Sequence, residues 1–155
     1  MKISLQYFSM LLLLLLSACN GKFDYLPTVR TLLTGGDVKE WQVERIFDLK
    51  NGLRTEITQN CNLDDDFVFY KDGTLDLLDN LNKCDAQLEQ TDPRVSWLLD
   101  PQDQSIIYIR LFPNVALFKT VINRINKQEL ELEIIVDFTN RRSNVFQLKA
   151  KGLFL

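Results

Sequence analysis

The chain has 155 residues, 46% of them hydrophobic and 25% charged, with a formal net charge of −3. This is the length of one domain, too apolar for a disordered chain, and its slight acidity offers no basic footprint for nucleic acid. Histidine is absent, which removes the commonest general base, the Ser-His and Cys-His nucleophile pairs and every histidine-containing zinc site.

The chain opens with one cation, Lys2, and an almost wholly apolar run from Phe8 to Leu16. That run is too short to span a bilayer comfortably and has the size and flanks of a signal-peptide core. Small residues Ser17 and Ala18 then precede Cys19. The segment Leu16-Ser17-Ala18-Cys19 looks like a lipobox, in which the cysteine sulfur takes a diacylglycerol and the chain is cut just before it. The plainer alternative is an ordinary secretory leader with a cysteine beside its cleavage site. The expectation is that residues 1–18 are removed and that Cys19 carries the lipid anchor that makes the membrane a partner. Each buried methylene contributes about 0.8 kcal/mol, so two or three acyl chains (palmitate or similar) hold where one would not. Asn20 stands where an aspartate usually signals inner-membrane retention, which favours the outer membrane and leaves its face open. Residues 19–32 carry little pattern beyond Pro27 and read as a tether, with the domain occupying 33–155.

After Leu33-Thr34-Gly35-Gly36 come short segments rich in β-branched and aromatic residues, separated by turn chemistry. Trp41, Val43 and Ile46 mark a first strand, and Asn51-Gly52 is a tight-turn signal leading into residues 53–57. Phe67 to Tyr70 and Thr74 to Leu78 flank Lys71-Asp72-Gly73, and Val95 to Leu99 and Ser105 to Leu111 flank residues 100–104. Val115 to Ile125 and Glu129 to Phe138 are joined by Asn126-Lys127-Gln128, and a last segment runs from Val145 to Leu155. In Glu129 to Phe138, the residues Leu130, Leu132, Ile134, Val136 and Phe138 share one parity, against Glu129, Glu131, Glu133 and Asp137. That alternation predicts one face on the core and one in water. The fold expected is all-β and antiparallel, with eight or nine strands closing as a barrel to hide their edges. A flattened β-sandwich is the alternative. Helix is expected only locally, near Leu75 to Cys84.

Cys61 and Cys84 remain once Cys19 is assigned. In an exported chain such a pair is expected to oxidise, and the rival metal or redox reading lacks both CxxC spacing and histidine. Asp64-Asp65-Asp66 suggests calcium, but the EF-hand spacing is missing, and a solvated turn entering a strand explains it better. The glutamates 129, 131 and 133 read either as an acidic docking stripe or as the wet face of a strand. Trp41, Phe67, Phe69, Trp97, Tyr108 and Phe118 either line an apolar ligand cavity or fill the barrel as core.

The ordered combination of Leu33-Thr34-Gly35-Gly36, Glu40-Trp41, Cys61-Asn62-Leu63-Asp64-Asp65-Asp66, Phe67 and Phe69, Asp72-Gly73-Thr74, Cys84, Trp97-Leu98-Leu99, and Ile122 and Ile125 followed by Leu130-Glu131-Leu132 resembles the lipocalin-like lipoproteins common in Bacteroidetes. The resemblance implies a lipidated, exported, single-domain β-barrel with a disulfide linking Cys61 to Cys84. It departs from transport lipocalins at Lys39, where those proteins place a glycine two residues before the first-strand tryptophan.

No nucleophile, base or metal constellation stands out, so neither a catalytic residue nor a cofactor is expected. The reading that follows is a non-enzymatic, lipid-anchored envelope protein whose lipocalin-like module binds a small apolar ligand. The alternative is an accessory or assembly subunit that binds another envelope protein through its surface or an open sheet edge.

Overall fold

The computed structural model describes residues 27–79, 81–84, 94–110, 117–137 and 141–151. The leader, Cys19 and most of the tether lie outside them. The described chain carries one short helix, α1 (Val29–Thr34), and nine strands: β1 (Val38–Lys50), β2 (Leu53–Glu56), β3 (Asp66–Tyr70), β4 (Thr74–Leu78), β5 (Arg94–Leu99), β6 (Ile106–Arg110), β7 (Phe118–Ile125), β8 (Glu129–Asp137) and β9 (Arg142–Ala150). Every pairing is antiparallel. The strand order is β2-β1-β3-β4-β5-β6-β7-β8-β9, and β1 also pairs with β9. The molecule is therefore a closed eight-stranded barrel with β2 as an extra strand, and the flattened sandwich is not formed.

Closure falls to β1, whose length lets it serve three partners. One edge pairs with β9 from Trp41 to Lys50. The other pairs first with β3, over Val38 to Gln42, and then with β2, over Phe47 to Lys50. A bulge between Val43 and Arg45 bends the strand at the change of partner. The turns are made by the residues that signalled them. Asn51 and Gly52 both have positive φ, 51° and 80°, as a two-residue primed hairpin requires. Gly73 has φ 92°, and a Cβ there would meet the Trp97 carbonyl at 3.3 Å. The Asp72 carboxylate accepts from the Thr74 amide and hydroxyl at 2.9 and 2.7 Å, closing the same turn.

Helix α1 falls where the sequence pattern suggested tether. Thr28 caps it, accepting from the Thr31 amide at 3.2 Å, and Gly35 ends it in the left-handed region at φ 62°. Leu33 and Thr34 are buried. The stretch expected to be locally helical, from Leu75, is instead strand β4 up to Leu78.

The two ends of the barrel differ. At one end lie α1 and the short turns 71–73, 100–105 and 126–128. Trp41 donates its indole N–H to the Leu33 carbonyl at 2.9 Å, and Arg30 donates to the Lys71 carbonyl at 3.0 Å while its guanidinium covers the Trp97 ring at 4.9 Å. Lys39 adds to this cap. Its ammonium stands 3.7 Å above the Trp41 ring and donates to the Leu32 and Lys127 carbonyls at 3.2 and 2.9 Å. The connections after β2, β4, β6 and β8 join strands at the opposite end, as the strand directions require. Exposed apolar side chains also stand there, among them Leu53, Leu81, Leu117 and Val136.

Candidate functional site

The barrel interior decides what the aromatic residues do. Trp41, Phe69 and Trp97 are buried in one cluster with Leu33, Leu75, Ile107, Leu130 and Leu132. Phe69 and Trp97 meet edge to face, with ring centroids 5.5 Å apart, and the Trp97 indole N–H is satisfied by the Thr74 carbonyl at 2.8 Å. These three rings fill the capped half of the barrel as core. Tyr108 has the opposite parity to the buried Ile107 and Ile109, and its hydroxyl donates to Asp100 at 3.1 Å on the outer face. It therefore lines no interior cavity. Phe118 shares the inward parity of Thr120 and Ile122 but is only half-buried. Of the six aromatics, Phe67 alone lines any of the pockets described.

That pocket opens where the β1–β3 ladder stops at Gln42 and Asp66, on the side away from α1. Its volume is about 180 Å³. The floor is apolar: Val43 from β1, Phe67 from β3, Leu77 from β4 and Phe146 from β9. Each belongs to the core cluster or packs against it. The Phe67 and Phe146 rings lie 5.6 Å apart at 60°. The rim is carboxylate, from Asp65, Asp66 and Asp79. The pocket thus brings core side chains together with three aspartates.

The aspartate triplet is built into the fold rather than solvated. The Asp64 carboxylate accepts the Leu81 and Asn82 amides at 2.8 and 3.0 Å, tying the connection after β4 to the entry of β3. Asp66 is 2% exposed and pairs with Lys151, which also bridges to Glu40. Burial pushes the Asp65 carboxyl up to about 6, the charges of Asp79, Asp64 and Asp66 add to it, and a hydrogen bond with Asn62 opposes it. One oxygen of Asp65 is shut off from water and accepts no hydrogen bond. Among the described residues, no group of three or more potential ligand side chains is arranged to hold a metal ion.

Cys61 and Cys84 are joined in a disulfide, with Cα atoms 5.1 Å apart. It fastens the short 3₁₀ turn Asn60–Asn62 to the connection that follows β4, and Asn62 donates to the Cys84 sulfur at 3.0 Å. The glutamate row of β8 is engaged on the outer face. Glu131 takes Arg54 at 3.2 Å and Gln147 at 2.8 Å, and Glu133 takes Ser143 at 2.7 Å. Burial alone would raise the Glu131 carboxyl, but the bonds from Gln147 and Arg54 and the Arg54 charge outweigh it and hold the group below its ordinary value.

Sequence patterning did not single out Val43, Leu77, Phe146 or Asp65 as one site. Leu77 and Phe146 were legible as inward positions of strands. That they meet Phe67 depends on β1 leaving β3, which no local pattern encodes.

Fold and site together define a disulfide-bearing, closed antiparallel β-barrel, capped at one end, with a small apolar pocket rimmed by carboxylates. Compared with known proteins, the chain matches no family model, no curated protein and no solved structure at a significant level.

Proposed function

We propose that this chain is a non-enzymatic, lipid-anchored envelope protein of lipocalin-like type that binds a small apolar ligand in the pocket floored by Val43, Phe67, Leu77 and Phe146. The observation that carries the reading is the pocket itself, an opening into the core cluster at the uncapped end of the barrel. Its volume of about 180 Å³ is close to the roughly 150 Å³ apolar cavity known to accept benzene. An aromatic ring or a short alkyl segment fits there, and a whole lipid does not. The interior of the capped half is occupied by Trp41, Phe69 and Trp97. The Cys19 anchor, read from the lipobox, holds the module at the membrane, and the outer membrane is the location proposed.

The test is a calorimetric or fluorescence titration of the purified chain with benzene-sized aromatics and short alkyl compounds, beside Leu77→Arg. Leu77 is half-buried on the pocket floor, so the arginine can carry its charge to solvent while filling the opening. Saturable binding by the natural chain, weakened at least tenfold in Leu77→Arg, is the expected result. Binding that Leu77→Arg leaves unchanged, or no binding of any compound in the panel, would overturn the reading.

A further inference from the structure

Strand β2 and the residue after it spell Leu53-Arg54-Thr55-Glu56-Ile57. β2 pairs with β1 on one side only, and all four of its residues are exposed. Ile57 donates its backbone N–H to the Ile46 carbonyl at 2.9 Å. Alternation along the strand therefore turns the backbone groups of Leu53 and Thr55 toward β1 as well, and those of Arg54 and Glu56 toward the free edge. Among the described residues no strand covers that edge.

A free edge is a template for further strand pairing, and proteins commonly blunt it with charge. Here the charges are of opposite sign and symmetric about Thr55. When two such edges meet antiparallel around a two-fold axis at Thr55, Arg54 of each copy faces Glu56 of the other. Leu53, 72% exposed, then faces Ile57, 42% exposed, and Thr55 faces its own symmetry mate. The Arg54–Glu56 pairs are also the ones whose backbone groups point outward, so they supply the ladder hydrogen bonds. Neighbouring registers fail. Centring the axis on Arg54 or on Glu56 sets like charges against each other, as does a parallel pairing in register. Arg54 already reaches Glu131 through one terminal nitrogen, and a guanidinium has further donors to offer.

We propose that the free edge of β2 is a docking surface for a second copy of this chain, joined antiparallel about a two-fold axis at Thr55. The contact is isologous, so it closes at two copies. A strand this short buries far less than the roughly 1,200 Å² of a standard interface, which makes the association weak and reversible in dilute solution. The ligand reading plays no part in this inference.

Cysteine cross-linking of the full chain tests it. Thr55→Cys places two sulfurs on directly opposed, non-hydrogen-bonded positions, a spacing a disulfide can bridge. Mild oxidation should give a dimer band on a non-reducing gel, well above the background set by the natural chain. Leu53→Cys should give no such band, because its symmetry mate lies about 13 Å away along the strand. Glu56→Arg added to Thr55→Cys should cut the yield about tenfold. Mixing that variant with Arg54→Glu/Thr55→Cys should restore cross-linking between the two. Equal yields from Leu53→Cys and Thr55→Cys, no dimer from Thr55→Cys, or a yield that Glu56→Arg leaves unchanged would overturn the proposal.

Discussion

Asp65 is a carboxylate placed where water is scarce and three other carboxylates are near. Its folded value of about 6 lies above the ordinary 3.8, so the native state holds a proton that the unfolded chain gives up between those two values. Stability from this group is therefore present below about pH 4 and is lost as pH rises through about 6. Because the side chain is half exposed, solvent screening leaves on the order of 1 kcal/mol of the effect. Asp65→Asn should thus raise the urea midpoint at pH 7.5 and leave it nearly unchanged at pH 4, measured by tryptophan fluorescence. An equal change at both values would mean that the charge of Asp65 is not what opposes folding. A residue kept at a cost to stability on the rim of an apolar pocket is what a binding site tends to look like.

Lys39 is a second residue whose surroundings set its role. Where transport lipocalins place a glycine, this chain carries a cation that covers Trp41 and ties α1 to the turn after β7 through two carbonyls. Burial pushes its amine down from the usual value, yet no carboxylate is needed to hold it. The position is a structural cap for the closed end.

At the scale of elements, the strands and their turns were legible because turn chemistry is local. Asn51-Gly52, Asp72-Gly73 and Asn126 act within a few residues of themselves, so their reading survives folding. The alternation in β8 was legible only in part. Leu130 and Leu132 are fully inside, but a bulge between Ile135 and Asp137 breaks the pattern, and Val136 is left 55% exposed. Helix α1 escaped notice because six residues carry too few turns for a period to show. Its caps, Thr28 and Gly35, were the available signal. The apolar pocket could not be read at all, since it arises from a change of partner along β1.

The disulfide belongs to this scale too. It closes a loop of 23 residues and joins two irregular segments that the Asp64 hydrogen bonds to Leu81 and Asn82 also hold together. On the chain-entropy estimate its loss costs about 3 kcal/mol. Cys61→Ser/Cys84→Ser should lower the denaturant midpoint accordingly while leaving the far-ultraviolet strand signal intact in water. A midpoint within experimental error of the natural chain would show that the bridge constrains little.

Across the whole molecule, structure is distributed unevenly. The capped end gathers α1, Trp41, Trp97, Arg30 and Lys39 into a sealed base, whereas the opposite end carries the longer connections, the pocket, Leu53 and Val136. α1 lies near the start of the described residues and packs against β1, β3 and β7 at the sealed base. Cys61 and Cys84 are bonded to each other and the sequence holds no histidine, and the pocket is lined by apolar side chains and aspartates.

The most direct test of this account is mass spectrometry of the chain purified from its own membranes in mild detergent, first under native and then under denaturing conditions. A lipid-anchored, ligand-binding barrel should lack residues 1–18, carry a diacylglycerol adduct on Cys19 and the mass deficit of one disulfide, and release a small apolar molecule on denaturation. A chain that retains Met1 with an unmodified Cys19, or a lipidated chain that holds no ligand and takes up none from an added panel, would contradict it.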